Sequence, residues 1–317
     1  MPRRPGGPDP LAYAHVSVPR VWLDRDVGPG VASAKVAGGE WIRVRRGAYI
    51  AVDGLDPDVH IRGRQTALAR LSAVSLQTAG GIVFSHESAA LLWGLPLFRL
   101  PVRTHLLVPT AQAGDSAADV ARHHLRQGPY DVVARRGLPV TGLEQTVVDC
   151  ARTLGPRGGL VVADAALAAG ARRDLLGQIL AAAGRGRGVR CAREVLAAAD
   201  DGAESPGETL ARWALLRAGL PAPVTQVPVE THLGVFWVDL GWPALRFAAE
   251  YDGVEKYGGG TTAVLIAEKR RQDAIEEAGW RVVRLTAGDV RDPVALARRL
   301  RPRLPGGVLR PRRLLAD

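Results

Sequence analysis

The stretch that decides the fold begins at Val238-Asp239-Leu240, continues through Phe247-Ala248-Ala249-Glu250-Tyr251-Asp252-Gly253, and ends at Glu268-Lys269-Arg270-Arg271-Gln272-Asp273. Asp239 closes an alternating apolar segment, Gly234–Leu240, and Glu250 and Asp252 close a second, Leu245–Tyr251, so both segments read as strands. Glu250 and Asp252 are two positions apart and leave the same face of their strand. If the two strands pair as a hairpin, Asp239 lies across from that same end. Three carboxylates brought together repel one another unless a cation neutralises them. An all-oxygen donor set selects Mg²⁺ or Mn²⁺, which polarises a phosphoryl group and helps generate a hydroxide nucleophile. Lys269, with Arg270 and Arg271, lies on the helix that follows and offers positive charge to a pentavalent transition state or to the attacking water. Glu208, on the preceding helix, is placed as an outer ligand. Each residue also has a plain structural role open to it: Asp252-Gly253 as a turn, Asp239 as a strand end before Gly241-Trp242-Pro243, and Glu268–Arg271 as a solvated helix face.

Around this stretch the elements come in the order αβββαβα. Glu204-Ser-Pro-Gly-Glu208 opens a helix to about Ala218, stopped by Gly219 and Pro221. A strand over Pro223–Val229 and the turn-like Thr231-His-Leu-Gly precede the two strands above. A helix over Thr262–Ala278, a strand over Arg281–Leu285 and a helix over Pro293–Arg301 complete residues 201–301, and a basic tail follows over 302–317.

Upstream, residues 56–200 read as a mixed α/β region. Helices are expected at Gly63–Ala79, Leu143–Thr153, Gly159–Ala169 and Arg173–Ala183, and strands at Thr104–Val108 and Val120–His124. Ser85 is placed as the N-cap of a helix. Ser85, His86 and Asp149 invite a hydrolase reading, but no G-x-S-x-G elbow surrounds the serine. His123-His124 offer metal nitrogens without a third ligand nearby, which favours a surface strand. Gly184-Arg-Gly-Arg-Gly188 is neither a Walker loop nor a dinucleotide fingerprint and reads as a flexible basic linker.

Residues 12–55, after a disordered lead-in over 1–11, read as two short helices (Pro19–Asp26 and Gly30–Ala37) and a basic hairpin from Trp41. This is the pattern of a winged helix-turn-helix, with Lys35 on the second helix and Arg43, Arg45 and Arg46 on the wing meeting DNA; the alternative is a helix–hairpin element with solvated arginines. The formal charge of +10 and pI of about 10.5 fit a polyanionic partner. Only Lys35, Lys256 and Lys269 are lysines, so the basic charge is almost all arginine, as GC-rich coding favours. No run approaches a membrane span, and Cys150 and Cys191 stand apart with neither zinc-ligand spacing nor a disulfide framework. These features point to a cytoplasmic protein with DNA as its partner and no membrane association.

Val238-Asp239-Leu, Phe247–Gly253, Lys256-Tyr257, Glu268–Asp273 and Ala278-Gly279-Trp280-Arg-Val-Val-Arg284 together closely resemble the very-short-patch-repair-like branch of the PD-(D/E)xK nuclease superfamily, as carried at the C-terminus of certain actinobacterial proteins. Trp41–Tyr49 and Ser85-His-Glu-Ser-Ala-Ala-Leu-Leu-Trp-Gly-Leu-Pro96 are similar to the N-terminal region of those proteins, which resembles the winged helix of AbiEi-type antitoxins. The resemblance implies a restriction-endonuclease-like αβββαβ core, with Asp239 and Glu250 as acidic metal ligands. Asp252 stands where the signature lysine belongs. Lys269, or Lys256, then supplies the displaced charge in a DNA endonuclease or nicking enzyme; otherwise the chain is a non-catalytic DNA-binding regulator, such as an antitoxin-like repressor with a toxin or repair partner.

Overall fold

A computed structural model describes residues 9–108, 117–124, 131–252, 262–310 and 315. Lys256, Gly253 and most of the lead-in and far tail lie outside these residues. Among the described residues the chain is mixed α/β, with eleven α-helices and three sheets. It divides into two units: residues 11–153 with 171–187, and residues 154–170 with 188–317 and the first ten. Segment 12–55 thus shares a unit with the residues that follow it, and residues 154–170 and 188–200 go with the C-terminal sheet.

In the first unit a three-stranded antiparallel sheet is ordered β1 (Trp22–Leu23), β3 (Ala48–Ala51), β2 (Trp41–Arg45). The expected helix over Pro19–Asp26 is not formed; that segment is β1 and a 3₁₀ turn at Asp24–Asp26. Packing overrides helical periodicity there, because Trp22 pairs with Tyr49 and its ring stacks on Trp41 with centroids 5.5 Å apart. Only one short helix, α1 (Val31–Ala37), therefore precedes the hairpin. Gly47, at φ +67°, makes the turn between β2 and β3. The sheet packs on α2 (Val59–Gln77) through Leu23, Val44, Ala48, Ile50, Ala69 and Ala73. Asp58 starts α2 by accepting from the amides of His60 and Ile61, five residues before Gly63.

The second sheet of this unit runs β6 (Val120–His124), β5 (Thr104–Val108), β4 (Val83–Phe84), β8 (Leu138–Thr141), β7 (Val132–Arg135). The β7–β8 hairpin carries no clear sequence signal, since its strands are four residues long and Pro139 interrupts one of them. β5 and β6 are parallel, with His105 opposite Ala121 and Leu107 opposite His123. Helix α3 (His86–Trp93) springs directly from β4, and α4 (Leu143–Thr153) and α6 (Arg173–Ala182) follow as expected.

The other unit holds α5 (Gly155–Ala168), α7 (Val189–Ala198) and α8 (Pro206–Arg217), then a four-stranded sheet. Its order is β12 (Arg281–Leu285), β11 (Phe247–Tyr251), β10 (Gly234–Trp242), β9 (Val224–Thr231). β9, β10 and β11 are antiparallel neighbours, whereas β11 and β12 are parallel. A parallel pair needs a crossover, and α9 (Thr262–Glu277) lies between the two strands in sequence. Ile275 of α9 joins Val227, Val229, Val238 and Ala248 in the core on the sheet. Short helices α10 (Ala287–Arg291) and α11 (Pro293–Leu300) finish the unit. No described helix is long and apolar enough to cross a membrane.

Candidate functional site

Antiparallel pairing sets Leu240 opposite Ala249, and one further step along that register puts Asp239 opposite Glu250. The expected hairpin therefore forms. Asp239 Oδ2 accepts a 2.9 Å hydrogen bond from the Tyr251 amide, which fixes the carboxylate at the strand end. Tyr251 in turn packs against Gly207 at the start of α8, where an added Cβ would overlap the Tyr251 ring. That close approach brings the next residue, Glu208, to Asp239.

Glu208 is part of the helix start. Its amide donates to Ser205 Oγ at 3.2 Å, while its own carboxylate accepts from the Glu204 amide at 2.8 Å and from Ser205 Oγ at 2.9 Å. This is capping-box chemistry shifted by one residue. Gln226 of β9 also reaches Glu208, at 3.3 Å, from a left-handed backbone (φ +50°) that is costly for a non-glycine residue. Burial, and then the negative charge of Asp239, push the Glu208 carboxyl up to about 7.

Glu250 is held by Arg271. Nη2 of the arginine makes a very short contact to Oε1, and Nη1 lies 3.3 Å from Oε2. Arg271 also donates to the Trp237 carbonyl at 2.8 Å and to Glu268 at 3.2 Å. Burial pulls its pKa down, but the hydrogen bond to Glu250 and the charges of Glu250, Glu268 and Asp239 outweigh that and hold it above the ordinary arginine value. Arg284 of β12 meets Glu268 at 2.6 Å and lies 4.0 Å from Asp252.

The structure thus gathers Glu208, Asp239, Glu250 and Arg271, with Asp252 one strand-step further. Lys269 stands apart. On α9 it is two residues from Arg271, about 200° round the helix, and it is exposed beside the exposed Arg270. Glu268, Arg271, Gln272 and Ile275 form the face turned to the sheet. In the N-terminal segment, Arg43 and Arg46 are exposed, while Arg45 is ion-paired with Asp119 at 3.1 Å. Lys35 is tied to Glu40 at 2.7 Å.

A second constellation, in the other unit, was not legible in the sequence. His86 at the start of α3, His105 on β5 and His123 on β6 come together, each with one ring nitrogen within 4.8 Å of the others. Among the described residues this is the group of ligand-type side chains that meets this distance; the three carboxylates do not. The sequence signal was only His123-His124, and the missing partners arrive from other elements; His124 itself is exposed. His86 and His123 stack with centroids 3.8 Å apart, and His105 Nδ1 lies 2.9 Å from His123 Nε2. Burial first, and then the neighbouring imidazoles, lower all three pKa values, that of His86 to about 2 and that of His105 to about 4. Ser85, His86 and Asp149 do approach one another, but Ser85 Oγ (3.0 Å) and Asp149 Oδ2 (4.0 Å) are both on Nδ1 of the ring. A hydrolytic triad needs serine and carboxylate on opposite nitrogens, so this is not one.

Two curated proteins of Mycobacterium tuberculosis, "Uncharacterized protein Rv2248" from strain ATCC 25618 / H37Rv and "Uncharacterized protein MT2308" from strain CDC 1551 / Oshkosh, are each 33% identical to this chain over 270 residues, spanning 84% of it and 93% of their own length. The chain belongs to their family. The aligned span is long enough to include most of both units. No family model matches the sequence. Among solved structures, the RV2827C protein from Mycobacterium tuberculosis covers 66% of this chain and 84% of its own at 19% identity, with a TM-score of 0.34, too low to carry an argument about fold or function.

Proposed function

We propose that the chain is a metal-dependent phosphodiesterase that cuts or nicks DNA, with residues 201–301 as a PD-(D/E)xK-type nuclease domain and the helix–hairpin segment over 12–55 as a winged-helix-like DNA contact. The observation that carries this is the carboxylate cluster: the Tyr251 amide holds Asp239 Oδ2 at 2.9 Å, in a hairpin whose register, continued one residue beyond Leu240 and Ala249, sets Asp239 opposite Glu250, and burial together with the Asp239 charge pushes Glu208 up to about 7. Neighbouring carboxylates of this kind favour the binding of a cation beside them.

The donor set fits Mg²⁺ or Mn²⁺ because every donor is an oxygen. Asp239 and Glu250 would hold the ion, with Glu208 as an outer partner. When bound, such an ion supplies Lewis-acid polarisation of a phosphoryl oxygen and acidifies a water. Tyr251 orients Asp239 through its backbone amide. Arg271 is the cation of the site: its guanidinium, already among carboxylates, is the group that meets phosphate oxygens bidentately. It takes the charge role that the resemblance leaves open at Asp252, in place of Lys269. Arg43 and Arg46 attract the duplex electrostatically.

A second reading has its own support. The paired contact between Arg271 and Glu250 occupies the carboxylate that a metal would need, as expected of a DNA-binding regulator or antitoxin-like repressor built on a nuclease fold without cleavage. Plasmid nicking by purified protein with Mg²⁺ or Mn²⁺, and its loss in Asp239→Asn, separates the two.

A further inference from the structure

We propose that His86, His105 and His123 form a binding site for a single divalent transition metal of zinc type, separate from the carboxylate cluster. The geometry is that of a ligand set with its outer shell in place. His105 turns Nδ1 to His123 Nε2 at 2.9 Å, while its other nitrogen, Nε2, is 3.2 Å from Glu87 Oε2. His86 has Ser85 Oγ at 3.0 Å and Asp149 Oδ2 at 4.0 Å, both on Nδ1, which assigns its Nε2 to the metal. A ligating histidine characteristically gives its second nitrogen to a carboxylate or hydroxyl, which fixes the tautomer and aims the ring. Two of the three rings here are so supported.

The dimensions agree. Nitrogens about 2.0–2.1 Å from a tetrahedral ion stand about 3.3 Å from one another, so the 2.9 Å contact between His105 and His123 needs to open by only a few tenths of an ångström. Without metal, that contact is a hydrogen bond in which one ring must carry the proton; metal binding replaces it with two coordinate bonds, and the proton moves to the other nitrogen of the same neutral ring, on the side of Glu87 where that ring is His105.

Two further features are costly if the cluster is only packing. Asp149 is 4% exposed, yet its Oδ2 has no hydrogen-bond partner, and a buried carboxylate oxygen left so is expensive. His86 holds a left-handed backbone (φ +51°) in the first helical position of α3, a strain that tertiary structure must maintain. Three neutral imidazoles without a thiolate suit Zn²⁺, Co²⁺ or Ni²⁺ over Mg²⁺ or Ca²⁺. Three protein ligands leave a fourth position for water.

The test uses the full chain, stripped with chelator, titrated with Zn²⁺ against a chromophoric chelator and with Co²⁺ followed by its visible absorption. One equivalent per chain is expected, with the intense bands of four- or five-coordinate Co²⁺. His105→Gln and His123→Gln, shown to be folded by circular dichroism, should lose that equivalent. Glu87→Gln should retain the stoichiometry and weaken affinity about 10–100-fold. An Asp239→Asn/Glu250→Gln double variant should bind as the wild type does, which keeps this site distinct from the phosphodiesterase reading. Absence of stoichiometric uptake by the wild type, or full uptake by both folded histidine variants, would overturn the proposal.

Discussion

Arg271 on α9 grips Glu250 on β11 with both terminal nitrogens, and the same guanidinium caps the Trp237 carbonyl on β10 at 2.8 Å. One side chain thereby joins the crossover helix to two strands of the sheet at the level of Asp239. The pair is partly buried, with side-chain exposures of 22% and 12%. Removing one partner leaves the other charge poorly solvated, which costs more than the pair contributes. Arg271→Ala should therefore lower stability by about 2–3 kcal/mol, measured by urea unfolding, and should abolish nicking in protein that remains folded. Arg271→Met with Glu250→Gln should recover most of the stability and none of the activity.

Lys269 gives the opposite expectation. It is exposed, away from the face of α9 that carries Arg271, so Lys269→Ala should change both stability and nicking rate by no more than about twofold, the scale of an ordinary surface substitution. A loss of activity comparable to that of Arg271→Ala would show that the exposed lysine, and not the arginine, serves the reaction.

Part of this was legible in the sequence and part was not. The alternation ending in Asp239 and Glu250 fixes two strands, and the structure pairs them with Leu240 opposite Ala249, a register that, continued by one residue, sets the two carboxylates opposite each other. Helix α9 was equally clear from its length and from Gly279. What the one-dimensional pattern could not give is which face of α9 meets the sheet, because Glu268-Lys269-Arg270-Arg271 offers a charge on every side of the helix. Only the placement of Ile275 in the core resolves it. The segment Pro19–Asp26 fails for another reason: a two-residue strand stabilised by Trp22 on Trp41 has no periodicity to detect. The histidine cluster was hidden because its members come from a helix start and two strands, joined only by tertiary structure.

Glu208 predicts a pH dependence. Its carboxyl is raised from 4.5 to about 7 by burial and by Asp239, so the folded state holds a proton that the unfolded state has released across that window. The associated stabilisation is present below about pH 4.5 and is lost as pH rises through 7. Without added metal, the melting temperature of the wild type should fall between pH 5 and pH 8, by the equivalent of about 1–3 kcal/mol. Glu208→Gln should flatten that slope, and Mg²⁺ or Mn²⁺ should raise the wild-type melting temperature chiefly at the upper end.

Asp164 on α5 is 1% exposed and accepts from Arg212 at 2.6 Å, Thr209 at 2.9 Å and the Asp200 amide at 2.9 Å. It fastens α5 to α8, the helix that carries Glu208. Asp164→Ala should cost about 3–5 kcal/mol by stranding Arg212, seen as an early unfolding transition, with any surviving folded protein showing reduced nicking.

In the N-terminal segment, Arg43 and Arg46 are exposed but Arg45 is held by Asp119. Fluorescence anisotropy on duplex DNA across a salt series should show the log–log slope of binding reduced by about 2 in Arg43→Ala/Arg46→Ala. Arg45→Ala should leave the slope unchanged and lower stability slightly.

The most direct test of the phosphodiesterase reading is the conversion of supercoiled plasmid by purified full-length protein in Mg²⁺ or Mn²⁺, run beside Asp239→Asn protein of matched fold. Metal-dependent nicking by the wild type, stopped by chelator and absent from Asp239→Asn, is the predicted result. No metal-dependent cleavage by folded wild type, or equal cleavage by both proteins, would contradict it.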